Sequence, residues 1–201
     1  MASAPFEDTA VIPRPNAARR RCSPPAALAL LAALLLASPR IAATPTAPSE
    51  PSRPNAVQLD LGLAVIGLAY ERVLADTIAL QLELQIFGTW FGPYFDYPNL
   101  SGFGAQIRSS VFPFGHAPRG LYIAPFVRAN RVTGEANGEM GSAVGASYGA
   151  FLGYSFLFWQ RWNVRVGAGA QYMSYAVDAG ATRLEMRTFF PALDLVAGVR
   201  F

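Results

Sequence analysis

The sequence predicts an all-β fold, an antiparallel up-and-down transmembrane β-barrel of eight strands. Three observations point there. Segments from residue 56 to 201 alternate apolar and polar residues with a period of two, and no stretch keeps a 3.6 period. The polar faces are rich in Gly and Ser, where a solvent-facing sheet carries Lys, Glu and Thr. Connections alternate between short turns and longer loops, as in a barrel with one loop-bearing rim.

The chain opens with what reads as an export signal over residues 1–43. Arg19, Arg20 and Arg21 form its positive region. Residues 26–37 are an unbroken apolar run of twelve, too short to span a bilayer as a helix. Ser38-Pro39 breaks the run, and Ile41-Ala42-Ala43 offers a cleavage site before Thr44. The positive region is long, which leaves the start codon open. A twin-arginine signal is an alternative that Cys22-Ser23-Pro24-Pro25 fits poorly. Cys22 precedes the apolar run, whereas a lipidated cysteine would follow it. Cleavage near Ala43 leaves no cysteine, which excludes disulfides, thiol catalysis and cysteine-ligated metal.

The net charge of +3 resides in this leader, which holds five arginines against two acids. The remainder balances eleven arginines with eleven acids, so no basic stripe exists to bind nucleic acid. Residues 44–55 are Pro-rich and polar and read as a periplasmic linker. Residues 56–201 then form one barrel domain, long enough for eight tilted strands of about ten residues each.

Within the domain, residues 56–72 alternate through Val57, Leu59, Leu61 and Leu63, then change phase to Ile66, Leu68 and Tyr70. The change marks either a bulge, giving seven strands, or a tight hairpin near 65–67, giving eight; bacterial barrel parity favours eight. The strand at 77–88 is the clearest, with Ile78, Leu80, Leu82, Leu84 and Ile86 against Gln81, Glu83 and Gln85. Further strands are predicted at 102–113, 120–131, 142–158, 163–176 and 184–201. In 142–158 the second face is Gly145, Ser147, Gly149, Phe151, Gly153 and Ser155, small enough to suggest a crowded lumen. Tyr154, Phe156, Phe158, Trp159 and Trp162 suit an interfacial aromatic girdle. Segments 73–76, 115–119 and 159–162 read as short periplasmic turns, and 88–101, 132–141 and 177–183 as longer loops.

Several of these pieces resemble one group of families. The closing Leu195, Ala197, Val199 and Phe201 alternate toward a final aromatic and resemble the terminal strand of a bacterial outer-membrane barrel. That likeness implies an insertion signal read by the barrel assembly machinery. Leu68-Ala69-Tyr70-Glu71-Arg72-Val73-Leu74-Ala75-Asp76, followed by Ile78-Ala79-Leu80-Gln81-Leu82, resembles a hairpin of small outer-membrane barrels, including DUF3575-like proteins. Gly120-Leu121-Tyr122-Ile123-Ala124-Pro125-Phe126 resembles the same OmpA-, OmpX- and OmpW-like eight-stranded group. The resemblance implies a porin-like barrel in the outer membrane of a Gram-negative bacterium, in contact with its lipid and lipopolysaccharide. It brings no catalytic residues.

With apolar faces outward, Asp60, Glu71, Glu83 and Asp194 point inward with Arg108, Arg128, Arg165 and Arg200. Charges in a narrow lumen of low dielectric must be paired. Two roles suit the set: a salt-bridge plug, or the lining of a narrow polar channel for small or hydrophobic molecules. Eight strands enclose little more than their own side chains, which favours the plug. Pro125 carries the prospect of a bulge that would shift the phase at Arg128. His116, the single histidine, lies in a short turn without a positioned nucleophile, so neither catalysis nor a metal or other cofactor is expected. The loop residues Trp90, Phe91, Tyr94, Phe95 and Tyr97 are the candidate external contact surface; an extended aromatic girdle is the plainer reading. The expected role is structural or interactive. A channel, an enzyme acting on lipid and a soluble periplasmic ligand-binding barrel are the competing classes.

Overall fold

Side chains that alternate in character every residue need a pleated backbone with two different environments. The computed structural model describes residues 53–90 and 97–201, and it supplies both environments. The leader, linker residues 44–52 and the loop residues Phe91, Tyr94 and Phe95 lie outside the described residues. Eight strands follow one another: β1 (Asn55–Leu61), β2 (Val65–Ala75), β3 (Ile78–Gly88), β4 (Leu100–Val111), β5 (Gly120–Ala136), β6 (Glu139–Phe158), β7 (Trp162–Ala179) and β8 (Thr182–Arg200). Each pairs antiparallel with the next, and β8 returns to β1 to close the barrel. The closing seam is the shortest, six pairs from Ala56↔Arg200 to Leu61↔Leu195.

Closure puts one face of every strand inside. In β3, Gln81, Glu83 and Gln85 are buried while Leu82, Leu84 and Ile86 are exposed. In β8, Asp194, Val196 and Arg200 are buried, while Ala197 faces out with the half-buried Leu195 and Val199, and Phe201 just past the strand is exposed. The three strand residues of the terminal alternation thus share the outer wall.

Four details depart from the sequence reading. The first hairpin turns at Gly62–Leu63–Ala64, three residues earlier than expected, closed by Gly62 N–H to Val65 O at 2.9 Å. Gly67, at the end of the expected turn, lies in β2 facing inward. A Cβ there would collide with the Glu83 carboxylate. The first strand also begins at Asn55, one residue before the expected start of the barrel domain.

The second departure is at the loop-bearing end. Segments 132–141 and 177–183 are not loops. β5 and β6 pair without interruption to Ala136↔Glu139, and β7 and β8 to Ala179↔Thr182. Two-residue turns at Asn137-Gly138 and Gly180-Ala181 connect them. Asn137 (φ 53°) and Gly138 (φ 81°) have the left-handed backbone that such hairpins demand. The polar composition there belongs to strands of 17–20 residues that project past the barrel wall.

Third, Pro125 breaks no phase. The β4–β5 ladder lapses between Arg108↔Phe126 and Val111↔Ile123 and resumes in unchanged register. The proline lacks a donor on that side, but its pairing with Ala150 of β6 persists. Fourth, β4 starts at Leu100 and β8 at Thr182, each two residues earlier than expected.

Two apolar clusters fill the ends of the interior. Phe87, Leu100, Val132, Met173, Tyr175, Met186 and Phe190 pack at the loop end. Phe112, Ala117, Tyr122, Phe126 and Phe151 pack toward the terminal end, where β1 begins and β8 stops. The charged side chains lie below the loop-end cluster and interleave with the rings of the second, Arg108 over Phe151, Arg128 over Phe126 and Arg165 over Phe112 and Tyr122.

Candidate functional site: the charged barrel interior

The wall delivers inward polar side chains from all eight strands, the charged ones from seven, into a space only a few side chains wide. Among the described residues the buried charged side chains are Asp60, Glu71, Glu83, Arg108, Arg128, Arg165, Asp194 and Arg200, each at most 3% exposed. These are the eight that alternation assigns to the lumen. Four acids and four arginines leave the set neutral when all are ionised.

They fall into two linked groups. Arg108 of β4 reaches across to three carboxylates: Asp60 of β1, Asp194 of β8 at 2.7 Å and Glu83 of β3 at 3.9 Å. Nearer the terminal end, Glu71 of β2 pairs with Arg165 and, at 2.9 Å, with Arg200. Arg200 also donates to the carbonyls of Arg53 and Pro54, both at 3.1 Å, tying the incoming chain to the last strand. Tyr122 joins the groups: its hydroxyl donates to Asp194, and the Arg165 guanidinium sits 5.5 Å from its ring.

Arg128 is buried as expected, but it does not pair with a carboxylate. It donates to the amide oxygens of Gln106 and, at 2.8 Å, Gln171. Gln106 passes the link on, donating to Glu83 at 2.8 Å. Arg128 also lies 4.4 Å from the Phe126 ring and Arg108 4.8 Å from the Phe151 ring. Those rings stack on each other at 4.7 Å. The two cations therefore each rest on one member of an aromatic pair, where the ring faces favour positive charge.

Amides complete the interior. Gln85 donates to Asn130 and Asn130 to Tyr175, each at 2.8 Å, capping the charges beneath the loop-end cluster. Gln58 donates to Asn163 at 3.2 Å. The oxygens Gln58 Oε1, Gln81 Oε1, Glu83 Oε1 and Gln85 Oε1 are buried without a protein donor. Sequence reasoning marked the glutamines of β3 as polar-face residues and put Phe151 on the lumen face without a role, but overlooked Tyr122 and Phe126. Their inward parity was the available signal, overshadowed because aromatic residues read as wall. Gly153 and Gly167 make room for Tyr122, since a Cβ on either would press on its hydroxyl.

The remaining candidates lie elsewhere. Trp90 is exposed at the loop end. Tyr97 is not presented outward: it packs against the loop-end cluster, edge-on to Phe190 at 6.3 Å, with its hydroxyl 3.3 Å from that of Thr188. His116 is an exposed residue of the 112–119 turn. Among the described residues no three His, Cys, Asp or Glu side chains gather as a metal site.

No family model and no curated protein matches the chain, and the narrower likeness to DUF3575-like proteins is not shown. Several solved structures are similar, among them two bacterial proteins. The crystal structure of neisserial surface protein A (NspA) is 15% identical, with 73% of this chain and 95% of that chain covered and a TM-score of 0.49. The N-terminal β-barrel domain of Pseudomonas aeruginosa OprF is 16% identical, with the same coverages of 73% and 95% and a TM-score of 0.43. By its own closed strand order the chain is an eight-stranded antiparallel up-and-down β-barrel.

Proposed function

We propose that this chain is a small outer-membrane β-barrel with a structural or interaction role, a lumen plugged by its own charges, and no catalytic function. The observation that carries the reading is inversion: the charges are inside and the aliphatics outside. Leu68, Leu84, Ile86, Phe103 and Leu152 are each more than half exposed. No charged side chain interrupts the outward positions of β7 from Trp162 to Tyr172 or of β8 from Phe189 to Val199. Ten residue steps on β7, at about 3.3 Å each and a tilt of about 40°, cover about 25 Å, the height of a membrane apolar band. Aromatics bracket that band: Tyr148, Tyr172 and Phe189 in a row across three strands at one edge, Phe156, Phe158 and Trp159 at the other.

Residues 1–43 would then serve as the cleaved export signal, 44–55 as the periplasmic linker and 56–201 as the membrane domain. Leu195, Ala197, Val199 and Phe201 would serve as the signal for the insertion machinery. The terminal end faces the periplasm, and Trp90 faces outward toward lipopolysaccharide. The four orphaned acceptor oxygens of Gln58, Gln81, Glu83 and Gln85 support a second reading, a narrow hydrated path along β1 and β3. Fractionation of expressing cells, with unheated and boiled samples compared on a gel, tests the first reading. Outer-membrane recovery with a boiling-dependent mobility shift is expected. A soluble periplasmic protein with no shift would overturn it.

A further inference from the structure

The exposed charges outside the lumen divide unevenly between the two ends. At the loop end Arg131, Arg183 and Arg187 face Glu135, Glu139, Asp178 and Glu185, and three ion pairs tie Arg183 and Arg187 to Asp178 and Glu185. At the terminal end Arg53, Arg72, Arg119 and Arg161 are exposed, and Asp76 is the one acid beside them among the described residues. None of these four arginines has a carboxylate within ion-pair distance among the described residues.

Arg119 has a built surround. It flanks a cleft of about 530 Å³ with Tyr154, Phe156, Leu157 and Phe158 of β6. The outward rings of Tyr154, Phe156 and Phe158 follow one another with centroids 4.8 and 6.3 Å apart. The turn that carries Arg119 is held from several sides. Arg119 N–H donates to His116 O at 2.9 Å and Phe112 N–H to Thr77 O at 2.8 Å. The Ser155 hydroxyl donates to Pro118 O, and Asn163 donates to Ser155 at 2.8 Å. A guanidinium on a fixed turn, set beside an aromatic wall at the edge of the apolar band, matches a phosphate joined to an acyl chain.

We propose that Arg119, with the outward face of Tyr154, Phe156 and Phe158, binds the headgroup phosphate of an anionic glycerophospholipid in the leaflet at the terminal end. The inference rests on the membrane-barrel reading above. Charge complementarity selects this occupant: the terminal rim is strongly positive in the described residues, whereas the loop-end charges nearly cancel.

The test is native mass spectrometry of the full chain in detergent micelles, titrated separately with phosphatidylglycerol and phosphatidylcholine. Wild type should bind phosphatidylglycerol more tightly than phosphatidylcholine. Arg119→Ala should weaken phosphatidylglycerol binding about tenfold, equivalent to about 1.4 kcal/mol. Arg119→Lys should fall between the two, and Arg183→Ala should match wild type. Each variant is first shown to keep its boiling-dependent gel shift. Wild-type affinity in Arg119→Ala, equal loss in Arg183→Ala, or equal binding of the two lipids would overturn the proposal while leaving the barrel in place. A wild-type chain soluble without detergent and lacking the gel shift would instead bring down the membrane reading.

Discussion

Glu71 is the carboxylate on which the terminal end of the interior depends, because it faces both Arg165 and Arg200 in a space closed to solvent. Removing it strands two buried cations. Glu71→Ala should therefore lower unfolding stability by about 3–5 kcal/mol, the cost of breaking a buried pair. Urea titration of the barrel in lipid vesicles measures this. Arg128 supplies the contrast, since its partners are the neutral amides of Gln106 and Gln171. Arg128→Met breaks no direct ion pair, although it leaves two amide oxygens without a donor and the interior with one more acid than arginine, and should cost less, about 1–2 kcal/mol. Equal losses in the two variants would refute the distinction between ion-paired and amide-held arginine. The inward position of each of these residues follows from parity along its strand. Their partners do not, because Arg108 and Asp194 are separated by 86 residues and meet only across the lumen.

At the level of strands, the seam between β1 and β8 decides whether the barrel is closed. Val57 and Val199 are cross-strand partners there. Paired cysteines at such a position lie about 5.5 Å apart between Cα atoms, within disulfide reach. Val57→Cys with Val199→Cys should oxidise readily and suppress the boiling-dependent gel shift until reduced. Failure to cross-link under oxidising conditions would contradict the register. The outward face carries its own test. Leu84 lies mid-strand on β3 and is 73% exposed. Leu84→Arg should destabilise the protein by about 2–4 kcal/mol if that face meets lipid. On a water-facing wall the same change would be harmless, and denaturant titration in vesicles separates the two cases. The strands themselves are legible from alternation, but their ends are less so. Asn137-Gly138 carries the turn signal, yet the polar residues around it read as loop until pairing to Ala136↔Glu139 shows them to be strand.

For the whole molecule, the balance of the interior matters more than any single pair. Four acids and four arginines occupy one narrow space, covered by one apolar cluster at the loop end and interleaved with the rings of the other. On the proposed plugged reading no continuous aqueous path remains. Planar-bilayer recordings of the purified barrel should therefore stay at background conductance. Steady, reproducible channels in the wild-type protein would favour the narrow-path reading supported by the orphaned acceptors. The projecting hairpins of β5 to β8 add height on one side only, because β1 has 7 residues and β6 has 20.

Alternation with period two, the aliphatic faces and the eight inward charges are local properties of the chain. A strand's two faces differ in composition wherever its two environments differ, so a linear reading recovers them. Which face is outer wall and which is lumen emerges from the closed sheet, since an inverted pattern and an ordinary soluble core look alike along one strand. Closure also selects the partners: it brings Arg108 to carboxylates of β1, β3 and β8, leaves Arg128 to amides, and folds Tyr97 back onto the barrel mouth. These contacts join residues far apart in sequence, and strand tilt and side-chain reach across the lumen set them, neither of which a one-dimensional pattern encodes.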